Sequence, residues 1–433
     1  MTSSFLPPLV QRLKLAIEEA TVLEAFSPLA GRLFGEGCLL EGLAAWRLFP
    51  SRRGGFTVSY RFKTSGGRLG QDDRSLPYDL STRIDVEQPP AGGAAEHAAA
   101  LAAGAFQLQD DPRLNQLDGI LGGLGVPRWF HHPYQSPELI SYRPLSRATV
   151  RFRNQEDEGL YLRASASRGR FERGARLAGI AAERFVQPSG RRGLFPRLLD
   201  TLPELRATLI EECGGTLMHH CLTDLGGTDM ESLADALISL FRGEIRELGT
   251  HNALDEAEAT AWMLRRAAVA RGDVLPDIDF ELARLFEASA LIESPAPVPL
   301  HRDLHDKQIL LDGAGGVVLL DSDTLSAGDP ALDLANLTVH LELRALQGLL
   351  DPNAARALAH QLLWACAGAG LRPSRHRMNY YQACTWLRLA GVYALRSSGA
   401  GLISTLLRRG SEELDSLQAG PAAPAAQEKK ELR

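Results

Sequence analysis

Residues 299–337 read PLHRDLHDKQILLDGAGGVVLLDSDTLSAGDPALDLANL, and this island constrains the fold more than any other stretch. Two apolar runs, Ile309–Leu311 and Val317–Leu320, flank Gly313–Gly316. Short apolar runs around a glycine-rich turn form a hairpin. A polar loop, His301–Gln308, precedes the first strand, and the second strand runs directly into Asp321. The tight turn therefore sets two acidic loops side by side.

Phosphoryl transfer needs that arrangement. One carboxylate must lie near an acceptor hydroxyl, orienting it and taking its proton, while separate oxygen ligands hold Mg2+ against a triphosphate. Asp303 suits the first task; Gln308 and Asp321 suit the second. His301 and Arg302 are expected to brace the loop. Asp323 has two readings, a further metal ligand or a local hydrogen-bonding group.

On these residues the chain resembles the aminoglycoside/choline phosphotransferase superfamily, whose fold is protein-kinase-like. His301-Arg302-Asp303 with Gln308 five residues on resembles the catalytic-loop motif H-[GR]-D-x-x-x-x-N. Asp321-Ser322-Asp323 resembles the metal-binding D-[FW]-[DE], and Gly328-Asp329-Pro330 with Asp333-Leu334-Ala335 resembles G-D-P-x-x-D-L-A. Three motifs in the expected order are far more specific than a lone HRD. Gln308 departs from the usual Asn, as in the maltokinase branch, but a longer amide still offers an oxygen. Ser322 replaces an aromatic packing anchor and removes no ligand.

The resemblance implies an α+β, two-lobed fold: a small β-rich N-lobe, a larger helical C-lobe, and an extra N-terminal cap. The expected divisions are a cap at 1–136, N-lobe and hinge at 137–215, C-lobe at 216–416 and a disordered tail at 417–433. It further implies ATP and Mg2+ as nucleotide and metal, and a small-molecule hydroxyl as acceptor. Arg163 in GLYLRAS stands where a phosphate-binding Lys is usual. Arg keeps the charge and adds a fork suited to phosphate oxygens. Glu172 on the following helix is the expected carboxylate partner of Arg163, with Glu183 as the rival. The Pro144–Arg147 turn occupies the place of a Gly-rich loop. Adenine is expected against the hinge, at Glu211, Glu212 and Cys213 in LIEECGG (209–215).

The rest of the chain agrees with this order. Strand-like runs at 38–64 and 139–165 alternate β-branched and aromatic residues with polar ones, 65–95 is polar and loop-like, and 94–106 is helical in composition. A helix is expected over 169–184, a loop around Gly190 and Gly193, and a strand at 206–212. Beyond Gly215 the pattern is helical except near 295–335. WRLFPSRRGGFTVSYRF and SYRPLSRATVRFR share a rhythm that a duplicated β-unit would produce.

With 47 basic against 53 acidic residues and 6% aromatics, the chain lacks the charge and stacking groups of a nucleic-acid-coating protein. Five scattered cysteines form no C-x-x-C pair, which argues for a reducing, cytoplasmic setting. No 18-residue apolar run suggests a membrane span, and Pro7-Pro8 interrupts the N-terminal amphipathic stretch, so no signal peptide is expected. A G-x-S-x-G elbow is missing, which disfavours a hydrolase. An A-P-E segment after Asp321 is also missing, which disfavours protein acceptors.

Asp329 and Asp333 are expected to serve structure, as a helix-start turn and a first-turn helix charge, with Asp333 alternatively bonding the catalytic-loop backbone. His305 either touches substrate or is a solvated polar group. His219, His220 and His340 are assigned packing or surface roles, and Arg388 packing. The acceptor pocket is expected among helices at 225–295 and 360–400. A nucleotide-binding but inactive module is the alternative function, motivated by Gln308, Arg163 and the missing Gly-rich loop. Oligomeric state is not legible.

Overall fold

The computed structural model describes residues 6–418 apart from 35, 53, 66–79, 85–93, 104, 109, 125–132, 187–192 and 276–277. Helices α1 (Leu6–Leu15), α2 (Glu19–Phe26) and α3 (Ala30–Phe34) lead into the antiparallel pair β1 (Leu39–Pro50) and β2 (Phe56–Ser65). The aromatic and β-branched run FTVSYRF favours extended chain, and Gly54-Gly55 lie in the connection. Then come β3 (Leu80–Ile84), α4 (Ala94–Ala103) and β4 (Ala105–Phe106), in a sheet ordered β1–β2–β3–β4. Between helices and sheet, Phe26, Tyr60 and Phe62 pack with ring centroids 5.5–6.1 Å apart. The Tyr60 hydroxyl donates to the Ala16 carbonyl at 2.9 Å.

β3 corrects the loop expected across 65–95. Its five residues LSTRI are too few for a pattern, and pairing along β2 buries them. Most of the remaining span lies outside the described residues. So do Gly190 and the segment from 419 of the expected disordered tail.

After α5 (Leu117–Leu121) come β5 (Glu138–Arg143), β6 (Arg147–Arg153), β7 (Gly159–Ser165), α6 (Arg168–Arg184), β8 (Leu198–Leu202) and β9 (Ala207–Glu211). Their antiparallel sheet is ordered β5–β6–β7–β9–β8. Strict alternation in β6 and β7 sends Ala148, Val150, Phe152, Leu160, Leu162 and Ala164 into one core, shared with Leu108, Leu114, Leu117 and Ile120. The opposite face presents Arg147, Arg151, Arg153, Tyr161 and Arg163. β8 was not legible because LLDTL is half-buried at every position and alternates nowhere.

At Gly215 the chain crosses to the second lobe with φ +130°, and a Cβ there would lie 2.9 Å from the Leu311 carbonyl oxygen. Only glycine fits that crossing. The lobe comprises β10 (Thr216–Leu217), α7 (Gly227–Phe241), β11 (Thr250–His251), α8 (Ala253–Arg271), α9 (Ile278–Leu291) and β12 (Val298–Leu300). The expected hairpin follows as β13 (Ile309–Leu311) and β14 (Val317–Leu319), then β15 (Ser326–Gly328), α10 (Ala331–Leu346), α11 (Pro352–Gly368), α12 (Arg375–Ala394) and α13 (Ile403–Gln418). Among the described residues no helix is long and apolar enough to cross a membrane.

The described residues before 100 dock on this helical lobe. The outer edge of β1 is covered by residues 395–397: Leu48 N–H donates to Leu395 O at 2.9 Å, and Ser397 N–H to Trp46 O at 3.0 Å. Arg266 of α8 donates to the carbonyls of Gly54 and Gly55 and lies 4.5 Å from the Phe56 ring centroid. One apolar core runs from Leu13, Phe26 and Tyr60 through Leu264 to Trp386 and Leu406. Residues 108–120, in contrast, pack on the N-lobe sheet.

Replacing Arg266 by Ala leaves both carbonyls without that donor and uncovers Phe56. Urea unfolding should show a loss of about 1.5–3 kcal/mol, the range for hydrogen bonds to a charged group. An unchanged midpoint would mean the contact is solvated.

Candidate active site

The loop carrying His301, Arg302 and Asp303 hangs on one buried carboxylate. Asp333, in the first turn of α10, accepts the backbone N–H groups of His301 and Arg302, both at 2.7 Å. It is wholly buried, and burial raises its pKa against the opposing pull of these donors and of His301. Both expected placements are observed: it stands in the first turn of the helix and it bonds the catalytic-loop backbone. Arg302 takes φ +68°, a conformation uncommon outside glycine. Asn336 donates to the Arg302 carbonyl at 3.0 Å and accepts from Arg388 at 2.7 Å. Burial lowers the pKa of the Arg302 guanidinium, while nearby Glu256 opposes the shift. Glu256 is itself buried and bonded to His251 at 2.8 Å.

His301 ties the two acidic loops together. Its Nε2–H donates to the Leu320 carbonyl at 2.6 Å, and its Nδ1 accepts the Asp303 N–H at 3.3 Å. Its ring stacks on Phe195, centroids 6.0 Å apart. Leu320 N–H in turn donates to Gln308 O at 2.8 Å. Asp321, the next residue, has φ +59°. Thus a left-handed residue sits in each acidic loop, a form of backbone strain that clusters at functional sites.

Across the cleft, period-2 alternation aims Arg163 and Arg147 at the second loop. Arg163 Nη2 lies 2.9 Å from both Asp321 Oδ1 and Asp323 Oδ2, and Arg147 Nη1 is 2.9 Å from Asp323 Oδ2 and 3.8 Å from Asp321 Oδ2. Burial alone would push the Asp321 carboxyl up, but Arg163 and Arg147 outweigh it and hold the pKa at about 2. Burial likewise acts to lower the pKa of Arg163, and the two carboxylates outweigh that and raise it. Among the described residues, neither the Asp303 carboxylate nor the Gln308 amide has a side-chain hydrogen bond or ion pair. Both are half-buried.

The donor set of two carboxylates and one amide oxygen suits Mg2+, which takes few protein oxygens and completes its shell with water and phosphate. No group of three or more His, Cys, Asp or Glu suited to a metal occurs among the described residues. The fit therefore rests on Asp321, Asp323 and Gln308.

Other expectations need correction. Glu172 does not reach Arg163; it is exposed and pairs with Arg168 at 2.8 Å, one helical turn away. Glu183 is exposed too. Glu212 pairs with Arg153 at 2.6 Å and Arg151 at 3.5 Å. Glu211 pairs with Arg197 at 2.6 Å and its sulfur neighbour is Cys213, 3.7 Å away. At this hinge, Glu211 N–H and Glu212 N–H donate to Arg197 O and Gly159 O. His219 is not merely packing: it bonds Asp306, which also takes Arg344 at 2.7 Å and is wholly buried. His340 is buried against His305, ring centroids 4.8 Å apart, and burial holds its pKa well below the usual value. Asp329 marks the start of α10 as expected and grips Arg377 at 2.7 and 2.8 Å. Arg388, expected to pack, also braces the loop through Asn336.

Arg147, Asp306 and Arg344 escaped the sequence reading. Only Arg147 left a signal, its place on the same strand face as Arg163.

A model of the phosphotransferase enzyme family matches residues 147–373, more than half of the 433-residue chain. The chain belongs to that family. Its two-lobed α+β fold and its class, a small-molecule kinase, follow. No curated protein matches the chain. Among solved structures it is similar to the aminoglycoside phosphotransferase APH(3'')-Id from Streptomyces rimosus, at 18% identity over 66% of this chain and 98% of that one, TM-score 0.42. It is also similar to the macrolide 2'-phosphotransferase MphH from Brachybacterium faecium, at 16% identity over 71% and 99%, TM-score 0.44. A third is the choline kinase LicA from Streptococcus pneumoniae, at 12% identity over 70% and 98%, TM-score 0.49.

Two measurements test the phosphotransferase's loop anchors. Asp333→Asn turns a double acceptor toward two N–H groups into a group with its own donor, and chemical denaturation should show a loss of about 2–3 kcal/mol. Asp321 is shifted in the opposite direction to Asp333. Its folded-state pKa lies below the unfolded value of about 3.9, so its contribution to stability is present above that pH and is lost as pH falls through about 2. In Arg163→Met the acid limb of stability between those values should flatten; an unaltered limb refutes the pairing.

Proposed function

We propose that this phosphotransferase moves the γ-phosphate of ATP to a hydroxyl of a small molecule, with Asp303 as the base. The supporting observation is the Asp303 carboxylate, which forms no hydrogen bond or ion pair with any described side chain although His301 and the Asp333-held backbone fix its loop. A free carboxylate on a rigid loop can accept the acceptor hydroxyl's proton as its oxygen bonds to the γ-phosphorus and ADP leaves. Gln308, Asp321 and Asp323 would hold Mg2+, which supplies charge stabilisation to the phosphate tail when bound. Arg163 and Arg147, now on the two carboxylates, reach the same space and would turn to phosphate oxygens. Adenine would lie against the hinge around Glu211–Cys213. A carbohydrate or aminoglycoside-like compound would be the acceptor, Gln308 being the feature shared with maltokinases. The cytoplasm suits the five free cysteines.

One observation favours the inactive nucleotide-binding alternative: Asp321 and Asp323 are both engaged by arginines. Turnover with a sugar and amino-alcohol panel separates the two readings. Asp303→Asn should lower kcat by about a thousandfold or more while nucleotide affinity holds, consistent with loss of a proton acceptor plus its orienting charge. Turnover that survives the change removes Asp303 from the role; Mg·ATP binding with no turnover of any acceptor favours the inactive module.

A further inference from the structure

The outer end of the cleft carries more positive charge than a nucleotide tail accounts for. Arg143 ends β5 directly opposite Arg147 at the start of β6, so both guanidinium groups leave the cleft face of the sheet. Arg170, near the start of α6, donates to Ser146 in the turn between them at 2.8 Å. From the cap, Arg47 approaches the same corner: Arg47 and Arg143 lie 4.9 and 5.7 Å from the centroid of one ring, Phe49. Arg52, in the turn after β1, adds to the field on Arg170.

Arg147 and Arg163 have their counter-charges in Asp321 and Asp323. Arg47, Arg143 and Arg170 form no ion pair with any described residue. Arg143 and Arg170 are exposed; desolvation and the charges of Arg147, Arg170 and Arg47 bring Arg143 down to about 10, and desolvation with Arg147 lowers Arg170 against the opposing pull of Asp323. Like charges crowded at one corner repel, and an anion bound among them would relieve that repulsion. The rim continues toward the catalytic loop, since Arg47 forms a backbone bridge with Arg396, whose charge with burial and Arg344 depresses Lys307, the neighbour of Gln308.

We propose that the acceptor carries an anionic group, phosphate or carboxylate, bound by Arg47, Arg143 and Arg170, so that the cap forms part of the acceptor site. This rests on the phosphotransferase reading above. The nucleotide tail belongs instead with Arg147 and Arg163, which stand beside Asp321 and Asp323. Arg143 is on the edge strand, one strand farther out, and Arg47 is on a separate sheet.

Isothermal titration of the full chain, saturated with AMP-PNP and Mg2+, tests the assignment with glucose, glucose 6-phosphate and gluconate. An anionic probe should bind at least about tenfold more tightly than glucose, with affinity falling as salt rises. The Arg47→Ala/Arg143→Ala pair should lose about tenfold or more of that affinity, and so should Arg170→Ala, an independent variant on a different element should the pair fold poorly. Phosphate and carboxylate are told apart by which probe binds more tightly. Glucose binding as well as both anions, or no anionic probe binding at all, overturns the proposal. So does a loss of AMP-PNP affinity equal to the loss of anion affinity, which would give these arginines to the nucleotide. Should the wild type bind no AMP-PNP, the kinase reading fails by itself, and the same anion titrations without nucleotide still decide for or against the arginine site.

Discussion

A carboxylate whose hydrogen bonds go to backbone, sealed inside the helical lobe, orders the whole site. Asp333 is stabilised by two backbone N–H groups, and those groups belong to the residues immediately before Asp303. Because the acceptor capacity of Asp333 is used on backbone, the loop's path is set independently of its side chains. His301 transmits that path to Leu320, and Leu320 leads into Asp321. The geometry of both acidic loops thus descends from one helix start, where a carboxylate is also favoured by the helix dipole.

The lobes meet through charge. Arg163 and Arg147 leave one lobe and end on Asp321 and Asp323 of the other; the Arg163 side chain is largely shielded from water and that of Arg147 only partly. On the proposed function these arginines would serve two partners in turn, the carboxylates and then the phosphates of a bound nucleotide, so that ligand entry would exchange one set of ion pairs for another.

Sequence legibility followed the range of the interactions. The β13–β14 hairpin, the alternation of β6 and β7, and helix α6 depend on neighbours a few residues away, and each stands where the residue pattern puts it. The core of the site was equally legible, because HRD, DSD and GDP lie within one short island. Failures came where partners are distant. Asp306 meets Arg344 across 38 residues with no pattern announcing it, and β8 exists only through its pairing with β9. Glu172 was assigned to Arg163 by analogy, but Arg168 sits one helical turn away and takes it first. Residues 395–397 cover β1 from some 350 positions away, which no local pattern can encode.

The way the N-terminal segment is anchored has a mechanical corollary. Its sheet is stitched to the helical lobe along β1, whereas residues 108–120 are embedded in the core of the other lobe. The polypeptide therefore spans the two bodies twice, once at Gly215 and once through this strap. A pair of bodies joined at a single joint can swing apart in many directions, and a second crossing of the chain removes some of them. Opening of the cleft is constrained accordingly.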